Sequence, residues 1–173
     1  VGFGSSVAGA GDVDGDGLGD ILVGAVSRST PLDGFYHEVA TLYLGLEKGL
    51  PAPTSVIADR NCRAGCTPLT VPNLAGLGDT NGDGLSDWLL AGYTSAWLVP
   101  GQPRQALPSL SLASALALAS LQSESVPLTV APAGDLNGDG LRDMLLGDPQ
   151  ARFSYVFGVF GRRPEQPFPA PLF

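Results

Sequence analysis

Three short segments carry acidic side chains at alternating positions with glycines between them: GDVDGDGLGD at 11–20, GDTNGDGLSD at 78–87 and GDLNGDGLRD at 134–143. They share the pattern G-D-x-[DN]-G-D-G-L-x-D, and their first aspartates are 67 and 56 residues apart. Repetition at this spacing is typical of one supersecondary unit copied along a chain. Ten of the 17 acidic residues lie in these segments, and like charges so close together repel unless a cation neutralises them. The three motifs are therefore candidate metal-binding loops.

The spacing of the oxygen-bearing groups indicates which cation the loops would take. Counted from the first aspartate, positions 1, 3, 5 and 9 are Asp or Asn, and the leucine at position 7 would offer its backbone carbonyl. The glycine after the third ligand suits a sharp turn, because it can take positive φ. All-oxygen ligand sets favour Ca²⁺ over zinc or copper, and Mg²⁺ fits less well because it demands a small octahedron. We therefore predict three Ca²⁺ sites. Their ligands are Asp12, Asp14, Asp16, Leu18 and Asp20 in the first, Asp79, Asn81, Asp83, Leu85 and Asp87 in the second, and Asp135, Asn137, Asp139, Leu141 and Asp143 in the third.

Two other interpretations of the motif were weighed. An EF-hand loop requires a bidentate Glu at position 12, but that position is Val23, Leu90 or Leu146. The apolar segments that follow each loop are short and bounded by glycine, which is typical of strands rather than of an exiting helix. The remaining alternative is an Asx-rich turn that binds no ion, and three aligned copies argue against it.

Composition limits the classes of fold and partner. At 173 residues and 44% hydrophobic residues, the chain can bury one sizeable core, so we predict a single domain of three repeats at about 1–58, 59–121 and 122–173. The formal net charge of −8 argues against nucleic acid and anionic membrane surfaces as partners. Three divalent ions would bring that charge to about −2. Since Val1 opens inside the first repeat, we expect the chain to be a processed or excised form of a longer protein.

The order of apolar segments within each repeat predicts an all-β fold. A strand leads into the Gly-Asp pair, a second apolar strand follows the loop, and a third strand carries an aromatic residue at Tyr43, Trp97 or Tyr155. A fourth strand is expected near 54–58 in the first repeat. Second strands that are apolar throughout indicate burial on both faces. Four antiparallel strands per repeat, packed side by side, are the blades of a β-propeller.

At this level the sequence resembles the FG-GAP repeats of the integrin α-subunit propeller and of related bacterial proteins. The match is close in FGSSVAGAGDVDGDGLGDILVGA at 3–25, followed by TLYLGLEKGL at 41–50. A Phe-Gly pair precedes the acidic loop only in the first copy, and the closing Gly-Ala-Pro appears as GAV, GYT and GDP. The resemblance implies about three four-stranded blades, Ca²⁺ in the loop joining the first two strands, and an extracellular role in adhesion or ligand binding. Integrins close a ring of seven blades, so it also implies a partial propeller or half of an oligomeric ring.

Three functions follow from this reading. The first is a non-catalytic, calcium-binding module of a secreted or cell-surface protein that binds a protein or cell-surface ligand. The second is a structural assembly module that closes a ring with other copies or with further blades of a parent chain. The third is an accessory propeller of a larger secreted enzyme. The chain has one His and neither a G-x-S-x-G motif nor a Walker loop, so we expect no enzymatic activity of its own.

Two segments outside the motifs carry further expectations. Cys62 and Cys66 lack the additional Cys or His that a zinc site needs, so a small disulfide in an oxidising compartment is expected, with free thiols as the alternative. The uncharged stretch 105–123 is rich in Leu and Ala but also contains Ser, Gln and Pro. A buried strand, a local helix and a membrane segment were weighed for it. Its polar content argues against a membrane segment, so no membrane span is expected, and the buried strand is favoured over the local helix.

The first repeat also contains an insertion, which we predict to be a loop over residues 26–39 between its second and third strands. Since antiparallel strands alternate in direction, this loop and the cysteine segment should lie at the end of the blade opposite the calcium loop. Loops on a rigid scaffold commonly carry binding residues, and aromatics beside an Arg are frequent in binding hot spots. A tolerated insertion packed on the blade is the alternative.

Overall fold

The computed structural model describes residues 2–28, 36–49, 53–62, 73–91, 95–107, 116–120, 128–148 and 155–166. In these ranges the chain forms eleven β-strands and no α-helix. The predicted all-β class is confirmed. No helix within the described ranges has the length and apolar character needed to cross a bilayer.

The strands form three antiparallel sheets, and each sheet is a simple meander in chain order. The first contains β1 (Ser6–Gly11), β2 (Asp20–Arg28), β3 (Tyr36–Tyr43) and β4 (Pro53–Cys62). The second contains β5 (Asn73–Gly78), β6 (Asp87–Ala91), β7 (Ser95–Val99) and β8 (Leu116–Ser120). The third contains β9 (Thr129–Gly134), β10 (Asp143–Asp148) and β11 (Tyr155–Val159).

The three acidic motifs occupy corresponding places, between the first and second strands of each sheet. The ladder ends on a Gly–Asp pair at the mouth of each loop: Gly11 with Asp20, Gly78 with Asp87, and Gly134 with Asp143. The register shifts next to each of these pairs. A bulge bends its strand and re-aims the neighbouring side chains. The loop's position is thus set in the same way three times.

The sheets pack side by side through their first strands, since β1 contacts β5 and β5 contacts β9. Gly76 allows the first of these contacts, because a Cβ there would collide with the backbone of Gly9 and Ala10. The second strand β6, with sequence DWLLA, is buried at all five positions, which fits an apolar strand that has a sheet on either side.

The core fills the spaces between the sheets. One cluster joins Leu22 and Leu42 of the first sheet to Trp88 and Leu90 of the second. Two others join the second sheet to the third, around Met144 and around Leu146. Alternate residues of β6 face opposite neighbours: Trp88 and Leu90 belong to the first cluster, whereas Leu89 packs with Met144.

The expectations outside the motifs have different outcomes. A fourth strand near 54–58 is confirmed, although β4 continues to Cys62, beyond the predicted repeat boundary at 58. Residues 116–120 of the uncharged stretch 105–123 form a strand, as favoured, whereas 108–115 and 121–123 lie outside the described residues.

The predicted loop over residues 26–39 was too long. Strand β2 runs to Arg28 and β3 begins at Tyr36, so the hairpin ladder continues through the pairs Val26–Glu38 and Ser27–His37. A ladder held by backbone hydrogen bonds can extend past its apolar section into polar sequence. Residues 29–35 lie outside the described ranges.

The predicted position of the cysteine segment is confirmed at its start. Cys62, the last residue of β4, pairs with Tyr36 at the end of the sheet opposite the first acidic loop. Cys66 lies outside the described residues, and so does the predicted disulfide.

Candidate metal centres

The first aspartate of each motif organises the backbone of its own loop. In the first loop, Asp12 Oδ1 accepts hydrogen bonds from the amides of Gly15 (2.7 Å) and Asp16 (3.0 Å), and its Oδ2 accepts one from Gly17 (2.9 Å). Asp79 accepts the corresponding bonds from Gly82 and Gly84, and Asp135 from Gly138 and Gly140, all between 2.6 and 3.0 Å. In each loop, one carboxylate therefore accepts the backbone hydrogen bonds that fold the next five residues into a turn.

Two glycines in each loop hold the conformation that this winding requires. Gly15 and Gly17 have φ of 79° and 86°, a region that side-chain-bearing residues rarely adopt. Their counterparts in the other loops have φ between 76° and 87°. The positive φ predicted for the glycine after the third ligand is confirmed, and the glycine two positions earlier in each loop adopts it as well.

The third and fifth positions continue the pattern of side chains that accept bonds from amides two residues ahead. Asp14 accepts from the amide of Asp16 at 3.2 Å, and Asp16 accepts from that of Leu18 at 2.8 Å. In the second and third loops, Asn replaces the third-position Asp and makes the same contact at 2.8 and 3.1 Å. The three loops share one fold, despite the substitution.

The asparagines also contact carboxylates directly. The Asn81 side-chain amide donates to Asp83 at 3.0 Å and to Asp87 at 3.5 Å, and Asn137 donates to Asp139 at 2.9 Å. To coordinate a cation, each amide would have to turn so that Oδ1 faces the carboxylates. These contacts bring the third, fifth and ninth positions of the second loop together, and the third and fifth of the third loop.

The aspartate at the ninth position also links the loop to the rest of its sheet, a role that the spacing of the motif did not predict. Asp20 Oδ2 accepts from the amide of Val13 at 2.7 Å, and its Oδ1 accepts from the amide of Gly45, just after β3, at 2.8 Å. Asp87 and Asp143 make the same two contacts in their own sheets. All three residues are buried, with at most 2% of their surface exposed. This carboxylate fastens the loop to the end of the third strand.

Burial disfavours the charged form of two of these carboxylates, Asp20 and Asp87. It raises the pKa of Asp87 to about 6, although hydrogen bonds from the hydroxyl and amide of Thr80 and the amide of Gly101 oppose the rise. Burial also raises the pKa of Asp20. In contrast, the exposed Asp139 has a lowered pKa, first because it accepts the amide of Leu141 and second because of Asn137. A cation in the loop would favour the charged form of the buried pair.

In the first loop, three carboxylate groups converge. One oxygen each from Asp12, Asp14 and Asp20 lie within 4.8 Å of one another, and the Asp14 side chain is fully buried. Asp16, a predicted ligand, lies outside this group, although it accepts a hydrogen bond from the same side chain of the neighbouring sheet as Asp14 does. The predicted carbonyl ligands, Leu18, Leu85 and Leu141, occupy the turn after the fifth position, and their amides bond the fifth-position carboxylate.

Sequence reasoning missed Arg104, which reaches into the first loop from the segment after β7. Its Nε donates to Asp14 at 2.6 Å and its Nη2 to Asp16 at 2.5 Å. Another arginine, Arg163, which follows β11, lies beside the second loop, since a Cβ on Gly82 would be 3.3 Å from its guanidinium. A signal was present: a basic residue occurs two or three positions after Gly45, Gly101 and Gly161.

These residues fit a hard divalent cation. Each loop offers only oxygen donors at its predicted positions, in a turn whose backbone amides already hold the carboxylates in place. In the first loop, the charge that a cation would balance is partly balanced by Arg104. No protein-family model matches the chain, and no curated protein sequence matches it either.

Proposed function

We propose that this chain is a calcium-binding β-propeller module of the FG-GAP type, with no catalytic activity of its own, which serves as an interaction domain of a secreted or cell-surface protein. Each of its three acidic loops would hold one Ca²⁺. The observation that carries the proposal is the threefold recurrence of one hydrogen-bonded loop at one place in three sheets.

The order of the sheets supports a propeller. Each sheet is a meander whose first strand lies against the first strand of the next sheet. In a propeller the innermost strands of neighbouring blades meet around the axis, and the remaining strands extend outward. The clusters between the sheets correspond to the contacts between neighbouring blades.

The chemistry of the loops supports calcium as the ion. The carboxylates of Asp12, Asp14 and Asp20 converge within 4.8 Å, and nothing but oxygen is offered at the predicted positions. Calcium accepts six to eight oxygen ligands in flexible geometries. Water molecules would complete the shell beside the four side chains and the one carbonyl.

The same geometry favours ion binding over acid–base catalysis. A carboxyl group with a pKa near 6, such as Asp87, is otherwise a candidate general acid. However, Asp87 is fully buried, and its two oxygens accept bonds from Thr80 and Gly101. A substrate could not reach this group without opening the loop.

Calorimetric titration of metal-stripped protein with CaCl₂ tests the proposal. Three ions should bind per chain, and MgCl₂ should compete poorly. Calcium at about 100 times its Kd should add about 2.7 kcal/mol of unfolding free energy per site, measured by denaturant titration with and without chelator. Glu47→Gln and Glu165→Gln remove exposed charges outside the loops and should leave the stoichiometry at three. Absence of calcium uptake, or equal stability in both conditions, would refute the proposal.

A further inference from the structure

Neighbouring sheets are joined by a backbone contact that occurs twice in the same form. The amide of Ser86, at the eighth position of the second loop, donates to the carbonyl of Asp12 in the first loop at 2.8 Å. The amide of Arg142 donates to the carbonyl of Asp79 in the same way at 2.9 Å. Each contact thus links the acidic loop of one sheet to that of the sheet before it.

A second backbone contact accompanies the first. The amide of Gln102 donates to the carbonyl of Val13 at 3.0 Å, and that of Arg162 to the carbonyl of Thr80 at 2.7 Å. Leucines accompany these bonds, since the Leu85 and Leu141 side chains lie over Gly15 and Gly82 of the preceding loop. The interface between sheets is therefore one repeated unit with a donor side and an acceptor side.

The first sheet carries the backbone groups of the donor side of that unit, and the third sheet carries those of the acceptor side. By their place in the repeat, the amides of Gly19 and Leu46 are donors, and the carbonyls of Asp135 and Leu136 are acceptors. Among the described residues, none of these four groups makes the inter-sheet hydrogen bond that its counterparts make. The first sheet thus presents a donor side, and the third an acceptor side.

The exposure of side chains also distinguishes the outer faces of the first and third sheets from the faces that are covered by a neighbouring sheet. Val13 and Thr80 are fully buried under the next sheet, whereas Leu136 at the same motif position is 57% exposed. Ala96, five residues before Gly101, is fully buried, whereas Val156, five before Gly161, is 70% exposed.

At the other end of the stack, Trp88 and Met144 pack on the preceding sheet with at most 1% exposure. Ile21, the residue at the same position of the first sheet, is 46% exposed. We define the leading face, on the first sheet, as Val7, Ile21 and Leu46, and the trailing face, on the third sheet, as Leu136, Val156 and Phe160.

A basic residue beside the leading face is placed to contact the acidic loop beside the trailing face. Arg104 lies three residues after Gly101 and binds the carboxylates of the preceding loop. Lys48 lies three residues after Gly45 on the first sheet and is exposed. A sheet docked before the first would place its acidic loop beside Lys48, and the third loop, with Asp135 and Asp139, is such a loop.

We propose that two copies of this chain associate head to tail, the trailing face of each covering the leading face of the other. The contact would repeat the backbone hydrogen bonds, the leucine packing and the basic-to-acidic contact that join the sheets within one chain. Two copies would form a ring of six sheets, within the range of four to eight blades at which propellers close. Closure leaves neither face exposed, and it satisfies the rule that head-to-tail contacts either form rings or grow into filaments.

The test measures the mass of the purified chain by analytical ultracentrifugation over a wide concentration range, with and without calcium. We expect a monomer–dimer equilibrium that does not extend to larger species. The apolar side chains of the two faces are not calcium ligands, so failure of dimerisation in variants of these side chains would be distinguishable from failure of calcium binding. A monomer throughout, or a mass that keeps growing with concentration, would overturn the closed pair.

Two charged variants test which faces meet. Ile21→Glu spoils the leading face and Leu136→Glu the trailing face, and each alone should weaken dimerisation at least about tenfold. Mixing the two variants should yield a heterodimer that is tighter than either variant alone, because one of its two contacts joins an intact leading face to an intact trailing face, while the other contact carries both glutamates. If each face met its own copy instead, one variant would dimerise normally and the mixture would gain nothing, which would overturn the head-to-tail arrangement.

Controls separate docking from folding. Gln105→Glu adds the same charge at an exposed position outside both faces and should dimerise normally. Lys48→Glu leaves all apolar contacts intact and should still weaken the pair, because two acidic groups would then meet. Circular dichroism and melting of each variant check the fold, and an unchanged dimer in folded Ile21→Glu and Leu136→Glu would refute the proposal.

Discussion

The metal-free protein should become less stable as the pH rises from about 4 to about 6, because the buried Asp87 is stable in its protonated form and loses that proton over this range. The folded-state pKa of about 6 lies above the ordinary value of 3.8. Between these values the folded protein keeps a proton that the unfolded chain has released. The contribution is therefore complete below about pH 4 and is lost as the pH rises through the folded-state pKa. A rise of about two pKa units corresponds to roughly 3 kcal/mol.

The assay is denaturant unfolding of metal-stripped protein at several pH values, for the wild type and for Asp87→Asn. The variant should be less stable throughout, because its single amide oxygen cannot accept both sets of bonds that Asp87 receives from Thr80 and Gly101. The difference between the two proteins should narrow by up to about 3 kcal/mol between pH 4 and pH 7. Parallel pH profiles would refute the reasoning. Calcium should release this proton at pH 6, which calorimetry in buffers of different ionisation enthalpy can measure.

Three further predictions concern the loops and their attachment. Replacing a fifth-position carboxylate should lower the calorimetric stoichiometry from three ions to two in each of Asp16→Ala, Asp83→Ala and Asp139→Ala, and a stoichiometry that stays at three would contradict the ligand assignment. Arg104→Ala should tighten calcium binding to the first loop, because the guanidinium no longer competes for its carboxylates; unchanged or weaker affinity would show that the arginine does not compete. Gly101→Ala should lower the unfolding free energy by about 1–3 kcal/mol, because its Cβ would lie 2.6 Å from that of Leu85. Gly158→Ala, in open space, is the matched control for thermal melting, and equal effects would contradict the steric argument.

The local parts of the fold were predictable from the sequence. The acidic loops, which lie between the first and second strands of each sheet, were predictable because their conformation depends on an aspartate and glycines within ten residues. The spacing of these residues is visible in the sequence. The short apolar runs after each loop form strands, as their length and flanking glycines indicated. For the stretch that contains residues 116–120, a strand was the favoured one of three alternatives, and these residues do form a strand.

What depends on distant contacts was not predictable. The bond that the amide of Gly45 donates to Asp20 joins residues 25 positions apart, and the bond that Arg104 donates to Asp14 joins residues 90 positions apart. Neither distance follows from a motif. The overlong loop at 26–39 has the same origin, because pairing between Val26 and Glu38 depends on where the hairpin turns rather than on the apolar content of either strand.

The unequal surroundings of the three sheets have a consequence for how the molecule opens. Strand β6 has a sheet on both sides and is buried at every position, whereas β9 has partly exposed residues along its whole length. In the monomer, where each sheet contacts only its neighbours, stability is close to a sum of unit and interface terms, and the end sheets have one interface fewer. Amide protons of the middle sheet should therefore exchange with solvent through rarer openings than those of the third. Opening would proceed by loss of an end sheet, and Trp88, between the first two sheets, would report the moment at which that interface separates.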